Sequence, residues 1–335
     1  MNNFLPFFQL TPSKNKFFFL FIFFLFDFAK GHGQNSRDTT YKSEFGFTTD
    51  NDSYLAFGQD RYYTNGLFIT FRHAINQKKL NERVVKKTWE AEAGQAMFNP
   101  YTGKITNPAR IDRPFAAYLY AGGKFNWYYK SENILQASLQ VGTVGPSAKG
   151  KEAQELLHDV IGFYEISGWE YQVRDEVGVN TALSYTSLIK RLANANTDFI
   201  FTSNLRVGNT FAGAGAGVLF RTGNINPLWN SVSTNSRISN SPLKDSIPSK
   251  ELFFFAKPSL QFVAYDATIQ GGLFTNDKGP YVFDPKRFVF SQELGIMYAK
   301  RRWTIDFSII FKSREIKSRA KAHQYGSASI YYRFN

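Results

Sequence analysis

From residue 43 to the end of the chain, stretches recur in which apolar side chains fall at every second position. Trp303, Ile305, Phe307, Ile309 and Phe311 alternate with Thr304, Asp306, Ser308, Ile310 and Lys312. A period of two is that of a strand, whose successive side chains point to opposite faces. Leu135, Ala137, Leu139 and Val141 repeat the pattern against Gln136, Ser138, Gln140 and Gly142, and Leu67, Ile69 and Phe71 repeat it against Phe68, Thr70 and Arg72. Phe288, Phe290, Leu294, Ile296 and Tyr298 share one face, and Ala328, Ile330, Tyr332 and Phe334 end the chain. Twelve strands are predicted, over 43–49, 62–74, 88–97, 115–128, 133–143, 178–191, 197–207, 211–222, 251–264, 287–299, 302–312 and 324–334. A soluble sandwich alternates too. Strands this long, with an aromatic-rich apolar face and an aromatic last strand, favour an all-β, twelve-stranded antiparallel barrel in a membrane. The stretch 267–274 is assigned to a loop, because single-chain bacterial barrels have even strand numbers.

One segment breaks the rhythm. Residues 149–166 carry apolar side chains at helical spacing, Ala153, Leu156, Leu157, Val160 and Ile161, after Pro146 and Gly150. A short helix in an outer loop is expected there, over the barrel mouth or near the leaflet surface. With the first strand running outward, segments 50–61, 98–114, 144–177, 265–286 and 313–323 become extracellular. The polar stretch 223–250 then falls on the periplasmic side, where it is long for a turn.

The N-terminus has a different grammar. Lys14 and Lys16 precede the run FFFLFIFFLFDF at residues 17–28, and Ala29, Gly31 and Gly33 follow it. Positive, apolar, small is the order of a secretory signal. The run falls short of the ~20 residues of a spanning helix. Residues 1–33 are therefore read as a cleavable signal and 34–335 as the barrel domain, a short membrane anchor being the other reading.

Composition sharpens this picture. The chain holds 35 Phe and 18 Tyr among 335 residues, more rings than a soluble core needs but suited to a lipid-facing wall and its interfacial girdles. Absence of cysteine excludes disulfides, thiolate metal sites and a Cys nucleophile. A formal net charge of +13 points to a polyanionic partner. No basic block, helix-turn-helix pattern or zinc-finger spacing supports nucleic acid, which leaves a phosphorylated lipid surface.

Two clusters are candidates for chemistry. Asn51-Asp52 closes the first strand, and Asp60 to Gly66 opens the second. His158 lies in the helical insertion, followed by Glu165 and by Gly168-Trp169. Histidine is the usual general base near neutral pH. A carboxylate and carbonyl oxygens at a loop rim could hold a hard cation such as Ca²⁺. Equally, Asn-Asp pairs are ordinary turn residues, and His158 could be a plain helix residue. Arg61, Lys104, Arg110, Arg113, Lys149 and Lys151 fall in the same loops and could orient a phosphorylated head group.

At these residues the chain resembles the lipid A 3′-O-deacylase family of outer-membrane proteins. The matching pieces are Asn51-Asp52, Tyr63-Thr64-x-Gly66-Leu67, Arg113-x-Phe115-x-Ala117, Gly142-x-Val144-Gly145-Pro146 through His158-x-x-Ile161-Gly162, and Trp169 with Gln172. They span roughly residues 45–180; the C-terminal half matches only as barrel strands. The resemblance implies a twelve-stranded outer-membrane barrel, with its active site near the extracellular surface. Its activity would be calcium-dependent removal of the 3′-linked acyloxyacyl group from lipid A of lipopolysaccharide. It implies His158 as the base toward water, Asn51 and Thr64 as residues that position the base or the ester, Asp52 as a calcium ligand, and Lys104 as a substrate-binding lysine; the loop charges add Arg113 to Lys104 as a substrate-binding residue for the phosphorylated head group. The family's acidic calcium ligand stands six residues after the histidine. Here Tyr164 holds that place and Glu165 follows, a shift of ~100° were it helical. A loop absorbs such a shift, so Glu165 is the expected ligand. A Ser-His phospholipase-type barrel and a non-catalytic porin or receptor remain alternatives; Ser147 and Ser167 share the loop with His158 but lack a nucleophile motif.

Overall fold

The structure, a computed structural model, describes residues 40–55, 60–76, 80, 83–240 and 250–335. The expected signal at 1–33 lies outside the described residues. Twelve antiparallel strands close into a barrel in sequence order, β1 pairing with both β2 and β12. They are β1 Ser43–Asn51, β2 Tyr62–Ala74, β3 Val84–Asn99, β4 Ala116–Tyr129, β5 Asn133–Val144, β6 Glu176–Arg191, β7 Thr197–Gly208, β8 Phe211–Asn224, β9 Lys250–Asp266, β10 Phe288–Lys300, β11 Trp303–Lys312 and β12 His323–Phe334. Closure gives every strand two neighbours, so no backbone edge is left to face lipid.

The alternation resolves into two surfaces. Phe45, Leu67, Phe125, Leu139, Val141, Leu183, Phe288, Trp303, Phe307 and Phe311 are exposed on the outside. Thr304 and Ser308, between the outward residues of β11, are buried. The interior is charged and paired. Arg72 binds Glu44 at 2.5 Å and also Glu90, Lys124 binds Glu90 at 2.9 Å, and Arg333 binds Glu44 at 3.0 Å. An apolar outside around a polar, ion-paired inside inverts a soluble protein and is the signature of a barrel solvated by lipid. No helix among the described residues is long and apolar enough to cross a membrane.

The strand pattern was legible to within a few residues. The largest displacement is β3, which begins at Val84 instead of 88. Its start, Val84-Val85-Lys86-Lys87, breaks the alternation of apolar and polar positions, because Lys86 points inward, where it donates to the carbonyls of Trp229, at 2.8 Å, and Ser236. Those two carbonyls belong to the long β8–β9 connection, expected only as an oversized turn. Its described part, 225–240, folds into the barrel end where β1 starts. Leu228 and Val232 join Tyr128, Ile134, Ile200, Leu219, Phe253, Phe255 and Ala299 in one buried cluster. Arg221 reaches Ser231 at 2.7 Å, and Glu251 accepts from Val232 N–H at 2.9 Å. The length is thus spent on an internal plug. The stretch assigned to a loop after β9 opens with a single helical turn, Ala267–Gln270.

Candidate active site

The site is assembled at the opposite end of the barrel, from the loops after β1, β3 and β5. The β5–β6 connection carries helix α1, Gly150–Ile161. Lys149 and Gly162, both left-handed at φ 57° and 70°, bracket it. Gly150 presses the helix start onto the wall: a Cβ there would stand 2.5 Å from that of Ala117 and 2.4 Å from the Trp169 ring. Gln95 Nε2 donates to the Ala148 carbonyl at 2.6 Å, and Trp169 Nε1 donates to Gln154 at 2.9 Å. Gln154 and His158, one turn apart, therefore face the barrel and are buried. The expected apolar row is split: Ala153 packs on the wall cluster of Phe115 and Trp169 and Leu157 is half-buried, while Leu156 and Val160 point away, 66% and 76% exposed. Such a helix suits an outer neighbour that is lipid and not water.

A second device lies at the start of β2. Tyr62 pairs with Asn99, Tyr63 with Phe98, then Asn65 with Met97, so Thr64 is the extra residue of a β-bulge. Tyr62 itself is left-handed at φ 62°. Bulges re-aim side chains beside active sites. Here the bulge turns the fully buried Thr64 so that its hydroxyl donates to Asp60 Oδ1 at 3.3 Å.

Asp60 is the hub. Its Oδ2 lies 3.3 Å from His158 Nε2 and accepts the Tyr164 hydroxyl. The other ring nitrogen, Nδ1, lies 2.7 Å from the Tyr164 carbonyl oxygen. With two oxygen acceptors around it the imidazole favours its proton. Burial pushes the other way but is outweighed, and His158 is held above its ordinary range.

Beside this lies Asp52, which accepts Arg61 N–H at 2.8 Å through Oδ2 and leaves Oδ1 buried with no partner among the described residues. Burial, opposed by the Arg61 N–H and reinforced by the charge of Asp60, pushes its carboxyl up to about 8. The Asn99 side chain is fully buried, and neither of its polar atoms has a partner among the described residues. A Cβ built on Gly103 would stand 3.2 Å from Asn99 Nδ2 and 3.3 Å from Asp60 Oδ2, so these groups share one small space. Unpaired hard oxygens beside two nearby carboxylates are a donor set that fits Ca²⁺. No group of three His, Cys, Asp or Glu stands ready as a metal-ligand set among the described residues, so amide, hydroxyl and water oxygens would complete the shell.

The remaining sequence-derived candidates divide. Asn51 is buried, donating to Asn65 Oδ1 at 2.6 Å and accepting Ser53 N–H at 2.6 Å. It shapes the turn that carries Asp52. Glu165 is exposed and makes no hydrogen bond or ion pair among the described residues. Lys104 is exposed, and its backbone bridges to Ser167. Arg113 is buried under the loops, donating to Thr268 Oγ1 at 2.9 Å and stacking on Phe98. Lys149 and Lys151 pair with Glu152 and Glu155 on the helix surface. Sequence reasoning gave Asp60 no role, although it opens the run singled out there. Asn99 carried no signal, since its meaning lies in having no partner.

An apolar-walled, ion-paired closed barrel with a His–Asp centre under a loop helix defines an outer-membrane β-barrel with an enzyme-like site at one mouth. The chain belongs to the LpxR family: the model described as outer membrane protein LpxR matches residues 17–334. This is the lipid A 3′-O-deacylase family that the motifs resemble, and it places the protein in the bacterial outer membrane. Among solved structures, LpxR from Salmonella typhimurium superposes with a TM-score of 0.69 at 19% identity, over 87% of this chain and 100% of that one. That level of identity speaks for the fold alone. The β domain of the Bordetella autotransporter BrkA (9% identity, 88% and 100% covered, TM-score 0.43) and the translocator domain of NalP from Neisseria meningitidis (10%, 89% and 90%, 0.41) are more distant barrels. No curated protein matches the chain significantly. Family membership supports an outer-membrane lipid A deacylase acting on lipopolysaccharide.

Proposed function

We propose that the protein removes an ester-linked 3′-acyloxyacyl chain from lipid A by hydrolysis, at a site that faces out of the cell. The observation that carries this is the convergence of Thr64, His158 and Tyr164 on Asp60 beneath a helix whose outer row is apolar. Acting from its neutral form, with Nδ1–H on the Tyr164 carbonyl, His158 takes the proton of the attacking water at Nε2 as that water adds to the ester carbonyl carbon, and Asp60 stabilises the imidazolium that forms. The proton then passes to the departing 3′ oxygen, giving a free fatty acid and a sugar hydroxyl. Nδ1, held by the Tyr164 carbonyl, fixes the ring. Asp52, Asp60 and Asn99 would hold calcium, which when bound would supply positive charge to the developing oxyanion.

The alternatives are less well supported. The Ser167 hydroxyl is engaged with the Ile105 carbonyl at 3.3 Å, and no serine hydroxyl among the described residues bonds to His158. A pore is disfavoured by the 225–240 plug. Mass spectrometry of lipid A from cells with the protein, without it, and with His158→Ala tests the reading. A 3′-deacylated species should appear only with the wild type; an unchanged lipid A profile in all three would refute it.

A further inference from the structure

Next to the Asp60 centre a cavity of about 490 Å³ opens between the β1–β2, β3–β4 and β11–β12 connections. Its volume is within the range of small-ligand pockets. Arg61, Arg110, Arg319 and Lys321 line it, and none of the four forms an ion pair with a carboxylate among the described residues. The lining holds one acid, Asp112, already committed: it accepts the Tyr62 hydroxyl and the Tyr101 N–H, each at 2.9 Å. Four cations against one carboxylate leave a formal excess of three positive charges around one space.

Like charges are not gathered without a counterion unless something else offsets their repulsion. These are also held in place. Arg319 donates to the Ala109 carbonyl at 2.8 Å, Arg110 stacks on Tyr101 at 5.3 Å, and Lys321 N–H donates to the Tyr62 hydroxyl at 2.9 Å. Planar guanidiniums anchored at one edge, with other donors free, match phosphate oxygens. Tyr164, which donates to Asp60, also lines the cavity. An anion seated there would lie one side chain from the reacting centre.

We infer that this cavity binds the phosphomonoester of a sugar head group, so that a phosphate and not the acyl chain sets the register of the ester at His158. The inference rests on the lipid A reading for the identity of the sugar, but not for the anion site. It differs from the expectation drawn from sequence, since Arg113 is buried elsewhere and Arg319 and Lys321 come from a distant part of the chain.

The test uses the full protein in detergent micelles, carrying His158→Ala so that binding is read without turnover. Titration calorimetry compares bisphosphorylated lipid A with its dephosphorylated analogue, with glucosamine 1-phosphate and inorganic phosphate as competitors. The phosphorylated lipid should bind at least about tenfold tighter. Adding Arg319→Gln and Lys321→Gln should erase most of that preference while leaving the affinity for the dephosphorylated analogue unchanged. The sugar phosphate should compete better than inorganic phosphate; equal competition would overturn the sugar assignment. A preference that survives the double substitution, or is absent at the start, would overturn the site. If wild-type protein shows the preference yet never deacylates, the anion site stands and the hydrolase reading falls.

Discussion

Tyr164 donates its hydroxyl to Asp60 Oδ2, the same oxygen that lies 3.3 Å from His158 Nε2. One side chain thus holds the carboxylate that faces the histidine. It does so from the position where the resembling family carries an acidic calcium ligand. A hydrogen bond to a charged group contributes about 1.5–3 kcal/mol, and without it Asp60 can turn away. Tyr164→Phe should lower kcat by roughly tenfold or more with KM little changed. Tyr164→Glu should restore an acid where the family has one and strengthen calcium binding. A Tyr164→Phe enzyme with wild-type kcat would remove the tyrosine from the mechanism.

Arg113 and Lys104 were expected to act together on substrate, and the structure separates them. Arg113 is 1% exposed, with Thr268 and the Phe98 ring as its partners. Truncating it opens a cavity against the Phe98 ring and removes a positive charge that Glu315 feels, a loss of about 2–5 kcal/mol for a large buried side chain. Arg113→Ala should lower the melting temperature in detergent and reduce activity equally on phosphorylated and dephosphorylated lipid A. Lys104→Ala should leave the melting temperature unchanged. A normal melting temperature for Arg113→Ala combined with selective loss on the phosphorylated substrate would return Arg113 to the binding surface.

Glu315 ties the β11–β12 connection to the rim. Burial pushes its carboxyl up, but Lys312 at 2.9 Å, His323 and Arg113 outweigh this and hold it at about 2. The group is a depressed acid. Its contribution is therefore complete above its unfolded value of 4.5 and is lost as pH falls from there toward about 2. On that shift the contribution is on the order of 3 kcal/mol. Melting temperature should fall across that acid window in the wild type, and less steeply in Glu315→Gln, which starts lower. Parallel curves for the two proteins would show that Glu315 is not the titrating group.

The plug makes a separate claim about the lumen. Lys86 and Arg221 anchor it by hydrogen bonds, and Leu228 and Val232 by burial. Wild-type protein in a planar bilayer should therefore show no steady conductance. Replacing 226–239 by a short Gly-Ser linker should give stable ion-conducting openings. A conducting wild type would revive the pore reading.

The barrel was legible because a period of two is local: Trp303, Phe307 and Phe311 announce their side of the sheet without reference to any other strand. The site was half legible. Thr64 and His158 stood in recognisable runs, but Asp60 acquires its role only when a bulge and a helix end meet around it. Arg319 and Lys321 lie more than two hundred residues from Arg61 and Arg110, and no spacing rule joins them. The plug looked like an overlong turn because its buried apolar residues are few and scattered. Helix α1 was found by its apolar spacing, yet Leu156 and Val160 of that row face outward while Ala153 packs on the wall. Periodicity reports a face and is silent on whether protein or lipid lies against it.

The roles of His158 and of the calcium ligands separate under substitution. His158→Ala should abolish ester cleavage, a loss of about 10²–10⁴-fold for a general base, while the barrel keeps its heat-modifiable migration, because the residue lies on a loop helix. Asp52→Asn and Asp60→Asn should each weaken calcium binding, read directly by calorimetry or terbium luminescence, so that excess calcium partly restores the rate of the first. Asp60→Asn should recover less, since that side chain also faces His158. Glu165→Gln decides the ligand question. Its side chain is exposed and outside the cluster, so calcium affinity should be unchanged. If Glu165→Gln weakens calcium binding as much as Asp60→Asn does, the loop after α1 must rearrange to bring that carboxylate in, and the donor set centred on Asp52, Asp60 and Asn99 is wrong. If chelation leaves the wild type fully active, calcium has no part in the reaction, and the unpaired oxygens of Asp52 and Asn99 belong to substrate binding instead.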